Sequence, residues 1–461
     1  MNDTAFASLA LQPALIENLL SLEYLQMTPI QAKSLPHILA GKDVIGQGKT
    51  GSGKTAAFSL GLLEKLDTKH FQVQALVLCP TRELADQVAK EVRRLARAIQ
   101  NIKVLTLCGG VPFKAQTGSM EHGAHIIVGT PGRVEEHVRR GTLKLDGLNT
   151  LVLDEADRML DMGFQPSLDA IIDCAPKQRQ TLLFSATYPD EIKSIAKRIM
   201  KKPVVVQVDA THGSDSIRQH LFKVDAGGGA RFKALRLLLQ QYRPTSTLVF
   251  CNTKKETLEV AESLDALGFS ALALNGDLEQ KDRDRILVRF SNKSVSILVA
   301  TDVAARGLDI DDLDAVINYH VANDLEVHIH RVGRTGRAGS SGIACTLFSE
   351  NEQYKIERLE AYLKHSIDIE TLPSLNLLDK PVYKPPMATL QIGGGKKQKI
   401  RAGDILGALT GDDGIDGKQV GKIQIFDQWS YVAVSRNVAN HALNKLSAGK
   451  VKGRSFRVFL M

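Results

Sequence analysis

The sequence predicts an α/β protein with two tandem parallel-sheet domains, the first carrying a phosphate-binding loop, followed by a small α+β domain. Three observations support this fold class. Short continuous apolar runs recur between residues 44 and 347, with amphipathic helical stretches between them. Such runs are typical of strands that are buried on both faces of a parallel sheet. A glycine-rich phosphate-binding pattern follows the first run, and the positive charge is concentrated after residue 385.

Length and composition indicate a globular protein. The chain has 461 residues, 43% hydrophobic and 24% charged, which predicts about three domains and excludes a disordered or collagenous chain. No apolar run reaches the roughly 18 residues of a membrane helix, and the acidic residues Asp3 and Glu17 argue against a signal peptide. The five cysteines are scattered without a CxxC pair, as expected for buried thiols in a reducing compartment. We therefore expect a cytoplasmic protein without a membrane partner.

Six apolar runs predict the strands of the first domain. They are Val44-Ile45 and the segments 75–79, 104–107, 126–128, 151–153 and 181–184. Helical stretches lie between them, such as Glu83 to Ala98, whose apolar residues share one face. This alternation predicts a doubly wound domain over residues 32–208, preceded by a short region, 1–31.

The pattern then restarts and predicts a second α/β domain over residues 217–371. Its strands are expected at 248–250, 271–274, 297–300, 315–317 and 344–347. The small, polar segment 209–216 is expected to be a flexible linker. The segment 372–386 contains four prolines and is expected to be an extended, semi-rigid linker. The residues after it, 387–461, are expected to form a separate basic domain.

The charge is unevenly distributed. The net charge is +8, and residues 385–461 carry eight Lys and four Arg against five Asp, so that +7 belongs to this segment. A basic domain on a nearly neutral body indicates a polyanionic partner. The alternative is a solvated surface that is merely rich in lysine.

The strongest local motif is a phosphate-binding loop directly after the first strand. It consists of Gly48-Lys49-Thr50-Gly51-Ser52-Gly53-Lys54-Thr55 and fits the pattern G-x-x-x-x-G-K-[ST]. The glycines let backbone N–H groups turn toward a phosphate at the N-terminus of the following helix. Lys54 is expected to reach the phosphates, and the Thr55 hydroxyl to bind Mg²⁺.

Two carboxylates follow the strand 151–153. Asp154 is the expected Mg²⁺ ligand, and Glu155 the expected general base that deprotonates an attacking water. On its own an acidic strand end is often only a helix N-cap. The phosphate-binding loop favours the catalytic interpretation.

The tetrad Asp154-Glu155-Ala156-Asp157 after such a loop resembles the signature of the DEAD-box RNA helicases. Further motifs of that family follow the family's order along the chain: Met27-Thr28-Pro29-Ile30-Gln31, Pro80-Thr81-Arg82-Glu83-Leu84, Gly109-Gly110, Thr130-Pro131-Gly132-Arg133, Ser185-Ala186-Thr187, Ala300 to Asp309, and His330 to Arg337. The resemblance covers Phe6 to Leu363. It implies RecA-like folds for both α/β domains, ATP with Mg²⁺ as cofactors, and RNA as partner.

The resemblance also implies roles for single residues. Thr28 and Gln31 would form hydrogen bonds with the edge of adenine, and Phe6 would stack on the base. Asp309 would contact the nucleotide. Arg334 and Arg337 would be arginine fingers. The residues implied in coupling hydrolysis to strand separation, or in bridging the domains, are Asp157, Ser185, Thr187 and His330. The residues implied in binding the RNA backbone are Thr81, Arg82, Gly110, Thr130, Arg133 and Thr301.

Three positions depart from the family pattern. Gly48 stands where the family usually has alanine, Glu23 where the adenine motif usually opens with glycine, and His328 precedes the last motif. Each leaves the phosphate-contacting groups intact. We expect them to tune only ATP affinity or loop stiffness.

The basic domain predicts the order βαββαβ, with strands at 389–392, 420–426, 431–434 and 456–460 and helices at 403–409 and 437–446. This is the topology of an RNA-recognition motif. The first strand offers Gln391 and Ile392 in place of stacking aromatics, so RNA binding through the sheet face is not expected. The expected RNA-binding residues are basic: Lys396, Lys397, Lys399, Arg401, Lys450, Lys452 and Arg454. Trp429 fits base stacking and a core role equally well.

A helicase core with this basic domain resembles the bacterial DbpA subfamily. That resemblance implies recognition of a hairpin in large-subunit ribosomal RNA during assembly of the 50S subunit. The sequence thus predicts a monomeric ATP-dependent RNA helicase that unwinds short duplexes and works on an assembling ribosomal particle. The alternatives are a general RNA helicase and an ATP-gated RNA clamp or chaperone; a DNA helicase is disfavoured by the adenine motif and the tetrad.

Overall fold

The computed structural model describes residues 4–48, 51–208, 217–225, 227, 229–305, 313–336, 342–363 and 365–461. Their contacts divide them into two compact units, one formed by the residues up to 208 and the other by those from 217 onward. Each unit is described by itself. In these ranges no helix is long and apolar enough to cross a membrane.

The first unit contains a seven-stranded parallel sheet in the order β3-β4-β2-β5-β6-β1-β7. Its strands are β1 (Val44–Gln47), β2 (Ala75–Leu78), β3 (Val104–Leu107), β4 (Ile126–Gly129), β5 (Thr150–Asp154), β6 (Gln180–Ser185) and β7 (Val204–Gln207). Its helices are α1 (Pro13–Ser21), α2 (Pro29–Leu39), α3 (Lys54–Glu64), α4 (Arg82–Leu95), α5 (Phe113–Met120), α6 (Pro131–Arg139), α7 (Ala156–Asp161), α8 (Gln165–Asp173) and α9 (Asp190–Ile199).

Two hydrophobic cores cover the two faces of this sheet. Along β5, Val152 belongs to one core, and Leu151 and Leu153 belong to the other. Successive side chains of a strand point to opposite faces, so a strand buried on both sides must be apolar throughout. This explains why continuous apolar runs predicted these strands.

The second unit begins with another seven-stranded parallel sheet, in the order β10-β11-β9-β12-β13-β8-β14. Its strands are β8 (Ile217–Lys223), β9 (Thr247–Phe250), β10 (Ala271–Leu274), β11 (Ile297–Ala300), β12 (Ala315–Asn318), β13 (Gly342–Phe348) and β14 (Ile369–Glu370). Its helices are α10 (Ala230–Tyr242), α11 (Lys254–Ala266), α12 (Gln280–Ser291), α13 (Asp302–Ala305), α14 (Leu325–Val332) and α15 (Gln353–Leu363).

The basic domain is a four-stranded antiparallel sheet with two helices. Its elements are β15 (Met387–Ile392), α16 (Ala402–Thr410), β16 (Val420–Ile425), β17 (Ser430–Ser435), α17 (Ala439–Ala448) and β18 (Val458–Leu460). The strand order is β16-β17-β15-β18, and Leu390, Ile405 and Val432 belong to a core of its own. The predicted fold class is confirmed: two parallel-sheet domains are followed by a small α+β domain.

Three strands were not predicted, and each differs from a continuous apolar run. β7 and β14 are the last strands of their sheets, and most of their residues are partly or fully exposed. β8 carries three polar residues in a row, Arg218, Gln219 and His220. Strands near a sheet edge need less apolar surface, so the criterion of buried runs misses them.

The proline-containing segment 372–386 packs onto the second α/β domain. Leu372, Val382 and Tyr383 lie against its core, and the Gln240 side chain donates a hydrogen bond to the Lys380 carbonyl (2.9 Å). A 3₁₀ turn occupies Leu375–Asp379. The segment is therefore packed against the second α/β domain, whereas the sequence predicts an extended spacer.

Candidate active site and RNA-binding surfaces

The carboxyl ends of six neighbouring strands carry the predicted site residues of the first domain. β1, β6 and β5 lead into the phosphate-binding loop, the segment 185–187 and the acidic tetrad. β2, β4 and β3, on the other side of β5, lead into the residues predicted to bind RNA. Parallel strands end at a common sheet edge, where ligands bind in α/β folds. The strand order thus separates the residues predicted to bind nucleotide from those predicted to bind RNA, and we call these two groups the nucleotide half and the RNA half of the edge.

In the described part of the phosphate-binding loop, the Lys54 side chain contacts the loop backbone at Gly48. Gly53 precedes α3 with φ of +94°, a conformation that glycine adopts without strain. Lys54 is 6% exposed, and its Nζ donates a hydrogen bond to the Gly48 carbonyl. Burial lowers the pKa of Lys54, whereas the carboxylates of Asp154 and Glu155 act in the opposite direction. Lys49 and Thr50 lie outside the described residues.

The motif predicted to read adenine is joined to this loop. The Thr28 hydroxyl donates to the Ser52 carbonyl (2.7 Å), and Gln31 Nε2 donates to the Gly53 carbonyl (3.0 Å). Gln31 Oε1 accepts a hydrogen bond from the Thr28 backbone N–H (2.8 Å). Both side chains can therefore transmit a change in nucleotide contacts to the loop. Their contact with adenine stays a prediction.

Phe6, the predicted stacking residue, is buried. It is 2% exposed and meets the Tyr24 ring edge-to-face at a centroid distance of 6.0 Å. Stacking on a base would require its ring to be uncovered, and this role also stays a prediction.

Asp154 and the surrounding donors fit a hydrated Mg²⁺. Asp154 is 3% exposed at the end of β5, and burial followed by the neighbouring Glu155 carboxylate raises its pKa to about 7. A cation beside it would stabilise the charged form. Thr55 lies in the first turn of α3, and the buried Ser52 Oγ has no hydrogen-bond partner among the described residues. Among the described residues, no cluster of three or more His, Cys, Asp or Glu forms a metal cage.

Glu155 has an unusual backbone and a charged partner. Its φ and ψ are both 52°, in the left-handed region that is uncommon for non-glycine residues. Its Oε2 lies 2.7 Å from Arg158 Nη1 in the first turn of α7, and the two side chains are only 8% and 6% exposed. Sequence reasoning did not single out Arg158; the i, i+3 spacing from the tetrad's Glu was the available signal.

Asp157 connects the tetrad to the segment after β6. Its Oδ2 accepts hydrogen bonds from the backbone N–H groups of Ala186 (3.1 Å) and Thr187 (2.9 Å) and from the Thr187 hydroxyl (3.0 Å). Its own N–H donates to Ser185 Oγ (3.3 Å). Burial alone would raise the pKa of Asp157, but the hydrogen bonds from Thr187 and Ser185 and the charge of Arg158 hold it below the usual value. Three of the four residues predicted to act in coupling, Asp157, Ser185 and Thr187, thus lie together.

The RNA half of the edge is formed by helix starts and a turn. Thr81 caps α4, where its Oγ1 accepts a hydrogen bond from the Leu84 N–H (3.3 Å), and Thr130 directly precedes α6. Gly110 has φ of +74°. Arg82 lies 3.9 Å from Asp86, and its buried Nη1 has no partner among the described residues. A phosphate could accept from that donor.

Arg133 is held in a network. Its Nη1 donates to the Val111 carbonyl (2.8 Å) and to Gln116 Oε1 (2.7 Å), and its Nε lies 3.2 Å from Glu136. Next to it the rings of Phe113 and His137 stack at 4.1 Å. The network joins the glycine turn at 109–110 to α6, a link that sequence reasoning missed.

In the second unit, Thr301 follows β11. It is 9% exposed, and its Oγ1 accepts a hydrogen bond from the Ala304 N–H (3.3 Å). His330 lies in α14, and Arg334 follows that helix with 5% exposure. Arg337 and Asp309 lie outside the described residues. The arginine-finger, bridging and nucleotide roles of these residues stay predictions.

Arg331, beside His330, is a buried connection that sequence reasoning did not assign. Its Nε and Nη2 bind the two carboxylate oxygens of Asp302 at 2.6 and 2.7 Å. Its Nη1 donates to the His320 carbonyl (2.9 Å), and the guanidinium lies 5.0 Å from the Phe250 ring centroid. At 2% exposure it fixes α13 and α14 to the ends of β9 and β12.

The basic residues of the last domain that were predicted to bind RNA lie in two segments, 396–401 and 450–454, which one hydrogen bond joins. All seven are exposed: Lys396, Lys397, Lys399, Arg401, Lys450, Lys452 and Arg454. Lys452 Nζ donates to the Lys399 carbonyl (2.7 Å), which joins the turn after β15 to the loop before β18. We call these seven residues the basic surface.

The sheet face of the last domain is covered by the second α/β domain. Thr389 is fully buried, and its hydroxyl lies 3.2 Å from Asn292 Nδ2 and 2.7 Å from Ser294 Oγ. Gln391 and Tyr431, on the same sheet, are each 6% exposed. Trp429 is half-buried, with the Lys281 ammonium of α12 5.9 Å from its ring centroid.

Three family profiles match this chain in the order of its domains. The DEAD/DEAH box helicase domain matches residues 28–195, and the helicase conserved C-terminal domain matches residues 230–339. The DbpA RNA binding domain matches residues 389–459.

Curated relatives agree with these matches. The ATP-dependent RNA helicase DbpA of Escherichia coli (strain K12) is 52% identical over 459 residues, 99% of this chain and 100% of that protein. The DEAD-box ATP-dependent RNA helicase CshA of Geobacillus kaustophilus (strain HTA426) is 42% identical over 81% of this chain and 79% of its own length. The chain belongs to the DEAD-box ATP-dependent RNA helicases. It is an RNA-binding ATPase, as its motifs predicted.

Solved structures of the same family resemble the chain. S. cerevisiae Dbp5 bound to RNA and ADP BeF3 has a TM-score of 0.72 at 31% identity, covering 80% of this chain and 96% of that one. Mss116p bound to ssRNA and AMP-PNP has a TM-score of 0.70 at 28% identity, covering 80% of this chain and 78% of that one.

Proposed function

We propose that this helicase opens short RNA duplexes on an assembling 50S subunit, anchored by its last domain to a hairpin of large-subunit ribosomal RNA. The basic surface carries this proposal. It carries seven exposed cationic side chains on two segments that a hydrogen bond joins, while the sheet face of the same domain is covered. The match of this domain to the DbpA RNA binding domain supports the same anchor.

In the nucleotide half, each group has a chemical task. Lys54 exchanges the Gly48 carbonyl for the β- and γ-phosphates of ATP. Thr55 and Asp154 would hold Mg²⁺, which would supply positive charge beside the phosphates. Glu155 accepts the proton of the attacking water. We assign Arg334 and Arg337 the role of arginine fingers, which stabilise the negative charge on the transferred phosphoryl group.

The RNA half supports binding without sequence preference. Threonine hydroxyls, helix starts and the unpartnered Nη1 of Arg82 suit phosphates and 2′-hydroxyls, which are the same at every nucleotide. Selection of one RNA site must then come from elsewhere in the chain. We assign it to the basic surface of a monomeric enzyme.

The test is steady-state ATPase activity at near-physiological salt, with poly(A) or a large-subunit ribosomal RNA fragment as activator. We expect strong activation by the ribosomal fragment and weak activation by poly(A). A Lys450→Glu/Lys452→Glu variant should lose this preference. A Lys418→Glu/Lys422→Glu variant, which changes two exposed lysines of the same domain outside the basic surface, should keep it.

Charge neutralisation also has a salt signature. The slope of log affinity against log salt is negative, and each lost phosphate contact should make it shallower by about 0.7 to 0.9. Equal activation by both RNAs would make the chain a general RNA helicase. ATP-dependent RNA binding without duplex opening would make it an RNA clamp.

A further inference from the structure

The proposed general base is already engaged by a neighbouring cation. Glu155 Oε2 and Arg158 Nη1 are 2.7 Å apart, and both side chains are more than nine-tenths buried. A charge-assisted hydrogen bond is strengthened where water cannot compete for either partner. Glu155 can accept a proton from water only through a carboxylate lone pair, and Arg158 occupies one of them.

We propose that Arg158 is a positioning residue that holds the Glu155 carboxylate away from the attacking water until RNA is bound. This inference rests on the proposed role of Glu155 as general base. Arg158 makes the ATPase dependent on RNA, because the base is released only when α7 shifts. Its role is distinct from that of the arginine fingers, which act on the phosphates.

A mechanical connection for this release runs through Asp157. Asp157 and Arg158 are consecutive residues in the first turn of α7. The Asp157 carboxylate is bonded to the backbone of Ala186 and to both donors of Thr187. A displacement of the segment 185–187 therefore moves Asp157 and Arg158 together, whereas Glu155 lies on the strand side of the helix start.

The backbone of Glu155 is held in a strained conformation. Its left-handed φ and ψ are unfavourable for a non-glycine residue and persist only where the surroundings impose them. The ion pair with Arg158 closes a ring between the strand end and the first helical turn. When the pair opens, the carboxylate gains rotational freedom toward the sheet edge where Lys54 and Asp154 lie.

The test compares ATPase rates of the full chain with and without saturating RNA. In an Arg158→Gln variant, kcat without RNA should rise about tenfold, the factor that corresponds to one lost interaction of 1.36 kcal/mol. The KM for ATP should change far less than kcat, since Arg158 acts on Lys54 of the nucleotide loop only through its charge. The ratio of RNA-stimulated to RNA-free kcat should fall accordingly, and this ratio is independent of the fraction of enzyme that is folded.

Two further variants separate positioning from structure. Arg158→Lys keeps a cation within reach of Glu155 and should restore most of the RNA dependence. Arg94→Gln removes an Arg–Glu pair of the same i, i+3 spacing on α4, where Arg94 Nε lies 3.3 Å from Glu91, and should leave the ratio unchanged.

Each outcome decides the matter. A lower kcat by the same factor with and without RNA in Arg158→Gln would show a merely structural ion pair and overturn the proposal. The same holds if the RNA-free kcat is unchanged. If Glu155→Gln hydrolyses ATP normally, the base assignment itself is wrong. If Glu155→Gln is inactive and Arg158→Gln is like the wild type, only the role of Arg158 fails.

Discussion

The carboxylate of Asp157 accepts two hydrogen bonds from Thr187, one from its backbone N–H at 2.9 Å and one from its hydroxyl at 3.0 Å. Asp157 belongs to the helix that follows β5, and Thr187 to the segment that follows β6. The two strands are neighbours in the sheet, so the contact links the tetrad to the adjacent motif. ATP-dependent changes at one strand end can reach the other through this contact.

Removing the Thr187 hydroxyl should weaken coupling more than hydrolysis. In Thr187→Val the backbone bond to Asp157 remains and the hydroxyl bond is lost. Mutations within a coupling network change the coupling free energy by about 0.5–2 kcal/mol, so the duplex opened per ATP hydrolysed should fall about twofold to thirtyfold. Parallel unwinding and ATPase assays measure this ratio, and Thr187→Ser should preserve it. Equal losses in both assays would contradict a coupling role.

Gly48→Ala should be tolerated, although it changes the phosphate-binding loop. An added Cβ would lie 3.1 Å from Ser52 Oγ, a hydroxyl that has no hydrogen-bond partner among the described residues and can rotate away. The alanine restricts the unfolded chain, so we expect stabilisation of about 0.4–1 kcal/mol and nearly unchanged ATP affinity. Gly53→Ala is the contrasting variant, since its φ is +94° and its Cβ would lie 2.5 Å from Gln31 Nε2. Thermal melting and nucleotide titration should separate the two, and loss of ATP binding in Gly48→Ala would contradict this account.

His328 should make the protein less stable in mild acid. It is 3% exposed, neither ring nitrogen has a hydrogen-bond partner among the described residues, and burial followed by the charge of Arg331 lowers its pKa to about 4. Between pH 6.5 and 4 the unfolded chain binds a proton that the folded chain does not, so stability falls as the pH falls. The loss should be about 2 kcal/mol at pH 5.

Thermal melting at pH 7.5 and pH 5 measures this effect. His328→Phe should remove its share of the acid sensitivity, whereas His122→Gln, which changes an exposed histidine, should leave the sensitivity in place. An unchanged pH dependence in His328→Phe would show that this ring is not the source.

His320 should have the opposite effect on the pH dependence of stability, because it stabilises the fold in mild acid. Burial alone would lower its pKa, but the hydrogen bonds to Glu256 and Glu352 raise it above the usual value. The Nε2–Glu256 distance is 2.6 Å. The protonated ring therefore stabilises the fold below pH 6.5, and this contribution is lost as the pH rises through the raised pKa. His320→Gln should cost about 1.5 kcal/mol at pH 6 and clearly less at pH 9, measured by thermal melting. An equal cost at both pH values would contradict a charged ring.

Much of the fold could be predicted because strands that are buried on both faces of a sheet produce continuous apolar runs in the sequence. Val152 and its neighbours had to be apolar whichever face they serve, and the phosphate-binding loop had to be glycine-rich for backbone N–H groups to converge. The order βαββαβ followed from alternation and turn residues in the same way. Edge strands such as β14 carry no such requirement and were missed.

The contacts of the site could be predicted only where a motif names both partners. Asp157 and Thr187 belong to motifs for which the family resemblance implies a common coupling role, whereas the contacts of Arg158 and Arg331 are shown only by the folded chain. The same is true of Lys452 and Lys399, which are 53 residues apart in sequence and joined by a hydrogen bond. Burial of Thr389 by a neighbouring domain had no sequence signal at all.

The most direct test of the account is single-turnover hydrolysis of ATP by Glu155→Gln in the presence of RNA, measured with RNA retention. If Glu155 is the general base, hydrolysis should fall by a factor of about 10² or more, and the variant should form a long-lived complex with ATP and RNA. Hydrolysis at the wild-type rate, with no such complex, would contradict the assignment of the catalytic site.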